Sequence, residues 1–216
     1  MKLIIVESPK KARTIKNFLG KDFTVVASFG HILDLPPKKF GLYLKNNKLE
    51  YTYKIINWKF VKKLKSIINK FQEIYLATDP DREGEFIAWS ISKYLGNKKF
   101  YRIRFYEITL PAILNSLKNK DKISENLVAS QKGRRFLDRI VGYTISPILW
   151  KNKIGKSAGR VQSPALRLIV EREEEIMNFK PEKYYYLEID FLNFKAYLLN
   201  EKKSYKFGND KKEYLE

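Results

Sequence analysis

The chain opens on a continuous apolar run, Leu3-Ile4-Ile5-Val6, too short for a helix and suited to a buried strand of a parallel sheet. Ser8 follows as an N-cap, and Pro9 stands at the first helical position, where its missing N–H costs nothing. Ala12, Ile15 and Leu19 then recur at helical spacing until Gly20 closes the element. Phe23 to Ala27 predicts a second strand. Between Leu33 and Tyr53 the pattern dissolves into a Pro- and Lys-rich stretch, expected as loop with short extended pieces. Trp58 to Phe71 reads as a basic helix with Phe60, Leu64, Ile67, Ile68 and Phe71 on its apolar face. Ile74 to Ala77 is the next strand, Glu83 to Leu95 the next helix, and Tyr101 to Phe105 a further strand. Strands alternating with helices across short connections predict an α/β layer with a mostly parallel sheet.

From Pro111 the pattern becomes helical: residues 111–118, 124–150 with a break near Pro147, and 160–178. In the last, Val161, Ala165, Leu168, Ile169 and Ile176 form the stripe expected to face inward. Lys180-Pro181 ends that helix, and Tyr184 to Phe191 returns to strand-like alternation. The expected organisation is therefore an α/β domain over 1–120, a helical domain over 121–180, and an incomplete β-rich segment over 181–216.

Composition narrows the function classes. A hydrophobic share of 44% over 216 residues allows a proper core. Lys and Arg number 43 against 24 Asp and Glu, a formal charge of +19. Residues 181–216 are neutral, with seven acids and seven bases, so the whole excess falls on residues 1–180. A local excess of this size points to a polyanion, and phosphate neutralisation makes nucleic acid the expected partner. No run of eighteen apolar residues exists, and no secretory leader precedes the first strand, so a soluble intracellular protein is expected. With no cysteine and a single histidine, His31, thiolate and imidazole-rich metal sites are excluded. A metal here must sit on carboxylate oxygens, which suits Mg²⁺.

The acidic candidates are concentrated. Thr78-Asp79-Pro80-Asp81-Arg82-Glu83-Gly84-Glu85 directly follows a strand and opens a helix, where ligands bind in open α/β sheets. Asp79 and Asp81 can face one side of an extended turn, and Glu83 in the first helical turn can reach the same point. Convergent carboxylates repel, and a divalent cation relieves that cost while coordinating a substrate phosphate. One or two acids would merely reflect the dipole of a helix N-terminus. Four acids in seven residues fit that explanation poorly. Glu7, at the end of the first strand, would face the same sheet edge if the two strands are neighbours, as a general acid or base. Lys11, one turn into the first helix, would complete a phosphate seat with the helix N-terminus.

Five segments together resemble the Toprim fold and, more narrowly, the type IA DNA topoisomerases of the bacterial topoisomerase I kind. They are Ile5-Val6-Glu7-Ser8-Pro9-Lys10-Lys11-Ala12-Arg13-Thr14-Ile15, Ser28-Phe29-Gly30-His31-Ile32-Leu33-Asp34-Leu35-Pro36, the 76–85 acidic segment, Arg134-Arg135-Phe136-Leu137-Asp138-Arg139, and Ser157-Ala158-Gly159-Arg160-Val161-Gln162-Ser163. The acidic element alone would also fit primases, small nucleases and recombination proteins; the last two segments are far more specific. The resemblance implies a Toprim domain, a helical DNA-binding domain and the start of a β-rich arch. It implies Mg²⁺ on Asp79, Asp81 and Glu83, Glu7 as the acid at the cleavage centre, Lys11 on the scissile phosphate, and Arg82 steadying the acidic cluster and the DNA. It further implies that Arg134, Arg135, Asp138 and Tyr143 hold a base upstream of the cut. Arg160, Gln162 and Ser163 would grip the single-strand backbone, with His31 also on the DNA-binding surface. Residue spacing alone would leave Arg134 and Asp138, four apart, as a plain surface ion pair.

The family cuts one strand with a tyrosine in a motif like ITYxRTDS downstream of SAGRVQS, and none of the 14 tyrosines here stands in such a context. Three expectations follow: one half of a split topoisomerase whose tyrosine arrives on a second chain, a truncated or fragmentary product, or a Toprim nuclease or primase-like enzyme that needs no tyrosine. The expected activity is ATP-independent relaxation of negatively supercoiled DNA, inactive in this chain alone, in a cytoplasmic, nucleoid-associated setting. No Walker A sequence is present.

Overall fold

The computed structural model describes residues 2–96, 99–183, 188–192, 194–197, 204–207 and 210–213. It divides into two compact units, Met1–Gln162 and Ser163–Glu216.

The first unit is built on a parallel sheet. Strand β1 (Lys2–Val6) leads through the Ser8 cap into helix α1 (Pro9–Leu19), with the Ser8 hydroxyl accepting from the Lys11 N–H. A short 3₁₀ turn returns the chain to β2 (Phe23–Ala27), paired in parallel with β1. Between Leu33 and Tyr53, where loop with short extended pieces was expected, the extended pieces are present and pair. Strand β3 (Leu33–Asp34) is followed by an antiparallel hairpin of β4 (Leu42–Lys45) and β5 (Lys48–Tyr51), then β6 (Lys54–Ile55). The hairpin turns on Asn46 and Asn47, both at positive φ (50° and 58°), the backbone a two-residue turn with the right strand twist requires and asparagine tolerates.

Helix α2 (Trp58–Ile67), β7 (Glu73–Leu76), α3 (Arg82–Leu95) and β8 (Phe100–Arg102) complete the layer, in strand order β2-β1-β7-β8, all parallel. Strands β1 and β7 lie at the centre. Leu3, Ile5, Ile74 and Leu76 pack under α2 and α3 on one face, and Ile4, Val6, Tyr75 and Ile103 pack with α1 and Ile113 on the other. This two-sided burial explains why both central strands read as unbroken apolar runs.

Helix α4 (Leu110–Lys118) crosses back to the sheet, and α5 (Glu125–Asn152) packs against α3. Val128 joins Phe86 and Trp89, while Phe136 joins Leu35, Leu42, Tyr51 and Tyr53. The expected break at Pro147 does not occur. The proline removes one helical hydrogen bond, to the Tyr143 carbonyl. The turn around it is held from outside the helix, where the Ser146 hydroxyl accepts from the Ala158 N–H, and α5 ends only at a left-handed Lys153.

The second unit contains the rest of α6 (Gln162–Asn178) and two antiparallel pairs, β9 (Glu188–Phe191) with β10 (Phe194–Tyr197) and β11 (Ser204–Phe207) with β12 (Asp210–Glu213). The strand expected from Tyr184 begins outside the described residues. The stripe of Val161, Leu168, Ile169 and Ile176 was expected to face inward and is instead exposed; among the described residues no part of α6 is buried. No helix among the described residues is long and apolar enough to cross a membrane.

Candidate metal and nucleic-acid site

The pairing of β1 with β7 brings Glu7 and the acidic loop together. Ile5 is the partner of Leu76, and the Ala77 N–H donates to the Ile5 carbonyl, so both chains leave the sheet side by side at its carboxyl edge. Glu7 and Asp79 emerge there, and the Lys11 ammonium donates to both, to Glu7 Oε1 and Asp79 Oδ1. Burial pushes the Glu7 carboxyl above the usual carboxylate range, and the nearby Asp79 charge adds to this, outweighing the hydrogen bond from Lys11. For Lys11 the balance is opposite: burial works against its charge, but the bonds it donates to two carboxylates hold its pKa above the ordinary value.

The other acids of the loop are separately engaged. Asp81 caps α3, accepting from the Gly84 N–H at 2.7 Å. Glu83 pairs with His31, whose Nε2 lies 2.8 Å from Glu83 Oε2. His31 is carried there by the Ser28–Gly30 turn, in which Phe29 takes a positive φ of 58° and the Gly30 N–H bonds the Glu7 carbonyl. The expected convergence of Asp79, Asp81 and Glu83 is thus not present; among the described residues no three such side chains gather as a cation site. Each short side chain finds a nearer partner, which relieves the mutual repulsion that spacing alone suggested. Arg82 is exposed at the first position of α3.

Does this donor set fit a divalent cation? Glu7 and Asp79 already share one positive charge, the Lys11 ammonium. Glu7 Oε2 is buried without a hydrogen-bond partner. An orphaned carboxylate oxygen beside a second carboxylate is suited to a hard cation, and all available donors are oxygens. The residues fit Mg²⁺.

Sequence reasoning missed what holds this loop. Arg102, 1% exposed at the end of β8, donates to the carbonyls of Leu76, Thr78, Asp79 and Ile103, and its Nε donates to Glu85 Oε2 at 2.8 Å. Glu85 is fully buried and also accepts from Arg104 at 2.7 Å and from the Ser124 N–H at 2.6 Å. One carboxylate therefore fastens the acidic loop, β8 and the N-cap of α5 together. The available signal was an arginine inside a buried strand, which requires a buried counter-charge. Gly84 was also missed. A Cβ there would stand 2.2 Å from the Asp79 carbonyl oxygen, so only glycine permits the loop to fold onto the helix.

A second cluster lies along α5. Arg135 forms a two-point ion pair with Asp34 of β3. Asp138 receives Arg160 Nε at 2.8 Å, and Arg134 stands 4.0 Å away on the same helix face. Arg139, also overlooked, donates to the carbonyls of Pro36 and Lys39 and to the Tyr143 hydroxyl, which itself donates to the Pro37 carbonyl. Two adjoining cavities result. One of about 650 Å³ is bounded by Tyr143, Arg139, Pro37 and Trp150. The other, of about 250 Å³, is bounded by His31, Glu83, Gln131 and Arg134. Arg135 and Asp138 line both. Gln162 donates to the Ser157 hydroxyl, within the first unit, and Ser163 begins the second.

A parallel sheet of this order, with a glutamate–lysine pair and an acidic loop at the carboxyl edge of its two central strands, defines a Toprim-type domain. The Toprim domain family matches residues 2–108, and the DNA topoisomerase family matches residues 122–215. The chain is 54% identical over 192 residues to DNA topoisomerase 1 of Aquifex aeolicus, covering 87% of this chain and 36% of that protein. It matches the structure of full-length topoisomerase I from Thermotoga maritima with a TM-score of 0.71 and 44% identity, over 96% of this chain and 36% of that one. The chain belongs to the type IA DNA topoisomerases and spans little more than a third of the length of either relative.

Proposed function

We propose that this chain is the magnesium- and single-strand-binding portion of an enzyme that relaxes negatively supercoiled DNA by transient cleavage of one strand. The observation that carries the reading is the Lys11 ammonium held between Glu7 and Asp79 at the sheet edge, beside an orphaned Glu7 oxygen. A DNA phosphate arriving there meets Lys11 and the N-terminus of α1. Asp79, with the orphaned Glu7 oxygen beside it, would hold Mg²⁺, joined by Asp81 and Glu83 only if they leave the Gly84 N–H and His31; the ion would supply positive charge for binding and orienting the phosphate backbone. Glu7, with its proton affinity raised by burial, is placed to donate a proton to the departing deoxyribose oxygen and to recover it on rejoining. Lys11 offsets charge on the phosphate as the attacking oxygen bonds to phosphorus and the strand's own oxygen leaves. The attacking hydroxyl belongs to a tyrosine outside the motifs of this chain, on a second chain or elsewhere in a longer polypeptide.

Along α5, Tyr143 offers a face for a base upstream of the cut, with Arg135 and Asp138 at its edges. Arg160, Gln162 and Ser163 contact the strand's backbone, and Arg82 flanks the acidic loop. The excess of basic residues over 1–180 supplies sequence-independent affinity.

Plasmid relaxation tests the reading. The chain alone with Mg²⁺ leaves supercoiled plasmid unchanged, and adding a chain that carries the family's tyrosine region restores relaxation without ATP. The double variant Asp79→Ala, Asp81→Ala abolishes the restored activity. Nicking or relaxation by the pure chain alone would instead establish a Toprim nuclease.

A further inference from the structure

Strand β2 is the outer strand of the sheet. Among the described residues β1 pairs along one side of it and no strand lies along the other. The Ser28 N–H continues the ladder to the Val6 carbonyl. Backbone groups alternate sides along a strand, so the N–H and C=O of Val25 and Ala27 point away from β1. An edge of this kind invites another chain to pair unless something blunts it. Here two cavities, of about 470 Å³ and about 540 Å³, meet at Val25 and together touch every residue of β2.

The two sides of this groove differ. Val26 packs on the face covered by α2, where Phe60, Leu64 and Ile67 present apolar surface. Val25 packs on the face covered by α1, whose C-terminal half offers Lys16 and Asn17, with Lys21 just beyond. Lys59 and Lys63 stand along the α2 side. All four lysines are exposed, and no carboxylate lines either cavity. Lysines alone would serve to keep copies of the chain from pairing edge to edge, but that duty needs no apolar wall.

The lining also selects among occupants. A second copy, β2 against β2, would set four lysines against four with no acid between them. A nucleic-acid strand carries no alternating amides and carbonyls to meet those of Val25 and Ala27. An extended peptide carries both, and its side chains alternate as the two walls do. We propose that this edge docks an extended, acidic segment of a partner protein, which adds a strand to the sheet beside β2. Its apolar side chains enter toward Phe60, Leu64 and Ile67, and the intervening Asp or Glu residues meet Lys16 and Lys21. The proposal does not depend on the chemistry at the carboxyl edge of β1 and β7.

The test uses the full chain and fluorescence anisotropy with a labelled peptide of about eight residues that alternates valine and aspartate. This peptide binds, and its valine–lysine counterpart does not. Amide exchange on binding slows most at Val25 and Ala27, whose N–H groups gain partners, and least at Val26, already turned toward β1. The double variant Lys16→Glu, Lys21→Glu weakens the peptide about tenfold, through two lost ion pairs and two new repulsions, while circular dichroism shows the chain folded. Absence of binding, equal binding of the lysine peptide, or exchange that is unaltered along β2 overturns the proposal. Displacement of the peptide by a thymine-only oligonucleotide assigns the groove to nucleic acid, and displacement by a chain carrying the tyrosine region assigns it to the rest of the enzyme. Either result also overturns it.

Discussion

Replacing Gly84 by alanine tests whether the acidic loop is held by close backbone packing. The added Cβ would lie 2.2 Å from the Asp79 carbonyl oxygen and 2.7 Å from the Asp79 nitrogen. Carbon and oxygen come no nearer than about 3.3 Å in ordinary contact, so the loop must retreat by roughly 1 Å. It has little room to do so: the same carbonyl is held by Arg102 Nη2 at 2.7 Å, and the Thr78 hydroxyl donates to the Gly84 carbonyl at 2.6 Å. Overpacking of this kind costs about 3 kcal/mol, against about 1 kcal/mol that alanine returns through helix propensity. The net loss of about 2 kcal/mol lowers the melting temperature by about 4–8 °C in a chain of this size. Gly133 in α5 provides the opposite case, because nothing lies within 4 Å of a Cβ built there. Gly133→Ala gains up to about 1 kcal/mol and melts higher. Circular dichroism melting of both variants, with a magnesium titration of each, reads the comparison. A Gly84→Ala protein that melts at or above the parent temperature and still takes up Mg²⁺ would refute the claim that the Asp79 backbone is immovable.

Arg102→Met removes bonds to four carbonyls and strips Glu85 of one of its partners; urea unfolding should show a loss of about 3–5 kcal/mol, and a loss under 1 kcal/mol would deny Arg102 its role. Although burial alone would raise the Glu85 pKa, bonds from the Ser124 N–H and Arg102 hold it below the ordinary value of 4.5. Its contribution to stability is therefore complete above pH 4.5 and is lost as pH falls through the lower folded value, so Glu85→Gln should be less stable at pH 7 and show a shallower acid decline. Glu7 has the reverse sign: its folded pKa is raised, so its ionised form costs stability at neutral pH, and Glu7→Gln should melt above the parent at pH 7 with the gap shrinking as pH falls toward 4.5. Single-strand affinity should fall linearly in logarithm with the logarithm of salt, and a flat response between 50 and 200 mM would exclude phosphate neutralisation as its source.

Much of the layer was legible because its elements carry their own boundaries. Ser8 and Pro9 mark the start of α1, and the apolar runs of β1 and β7 can be buried on both faces only in a parallel sheet. The hairpin at Asn46–Asn47 was not recognised, because its alternation is interrupted by lysines and its turn lacks the glycine that usually announces it. Pro147 misled in the other direction, since support from Ala158 lies eleven residues further along and leaves no local trace. In the site, the spacing of Asp79, Asp81 and Glu83 placed them on one short segment, but not the partners that divide them: Lys11, the Gly84 N–H and His31 come from three separate places in the chain. Arg102 was invisible for a related reason, as its importance lies in what surrounds it after folding rather than in any pattern of neighbours.

The Glu85 junction has a mechanical consequence. Because one carboxylate clamps the first turn of α5 to the strand and loop that carry Asp79, the 28-residue helix behaves as a lever welded at its base. Turning the helix about that base would break a buried ionic knot, so the helix that carries Arg135, Asp138 and Tyr143 starts from a point fixed to the loop that carries Asp79.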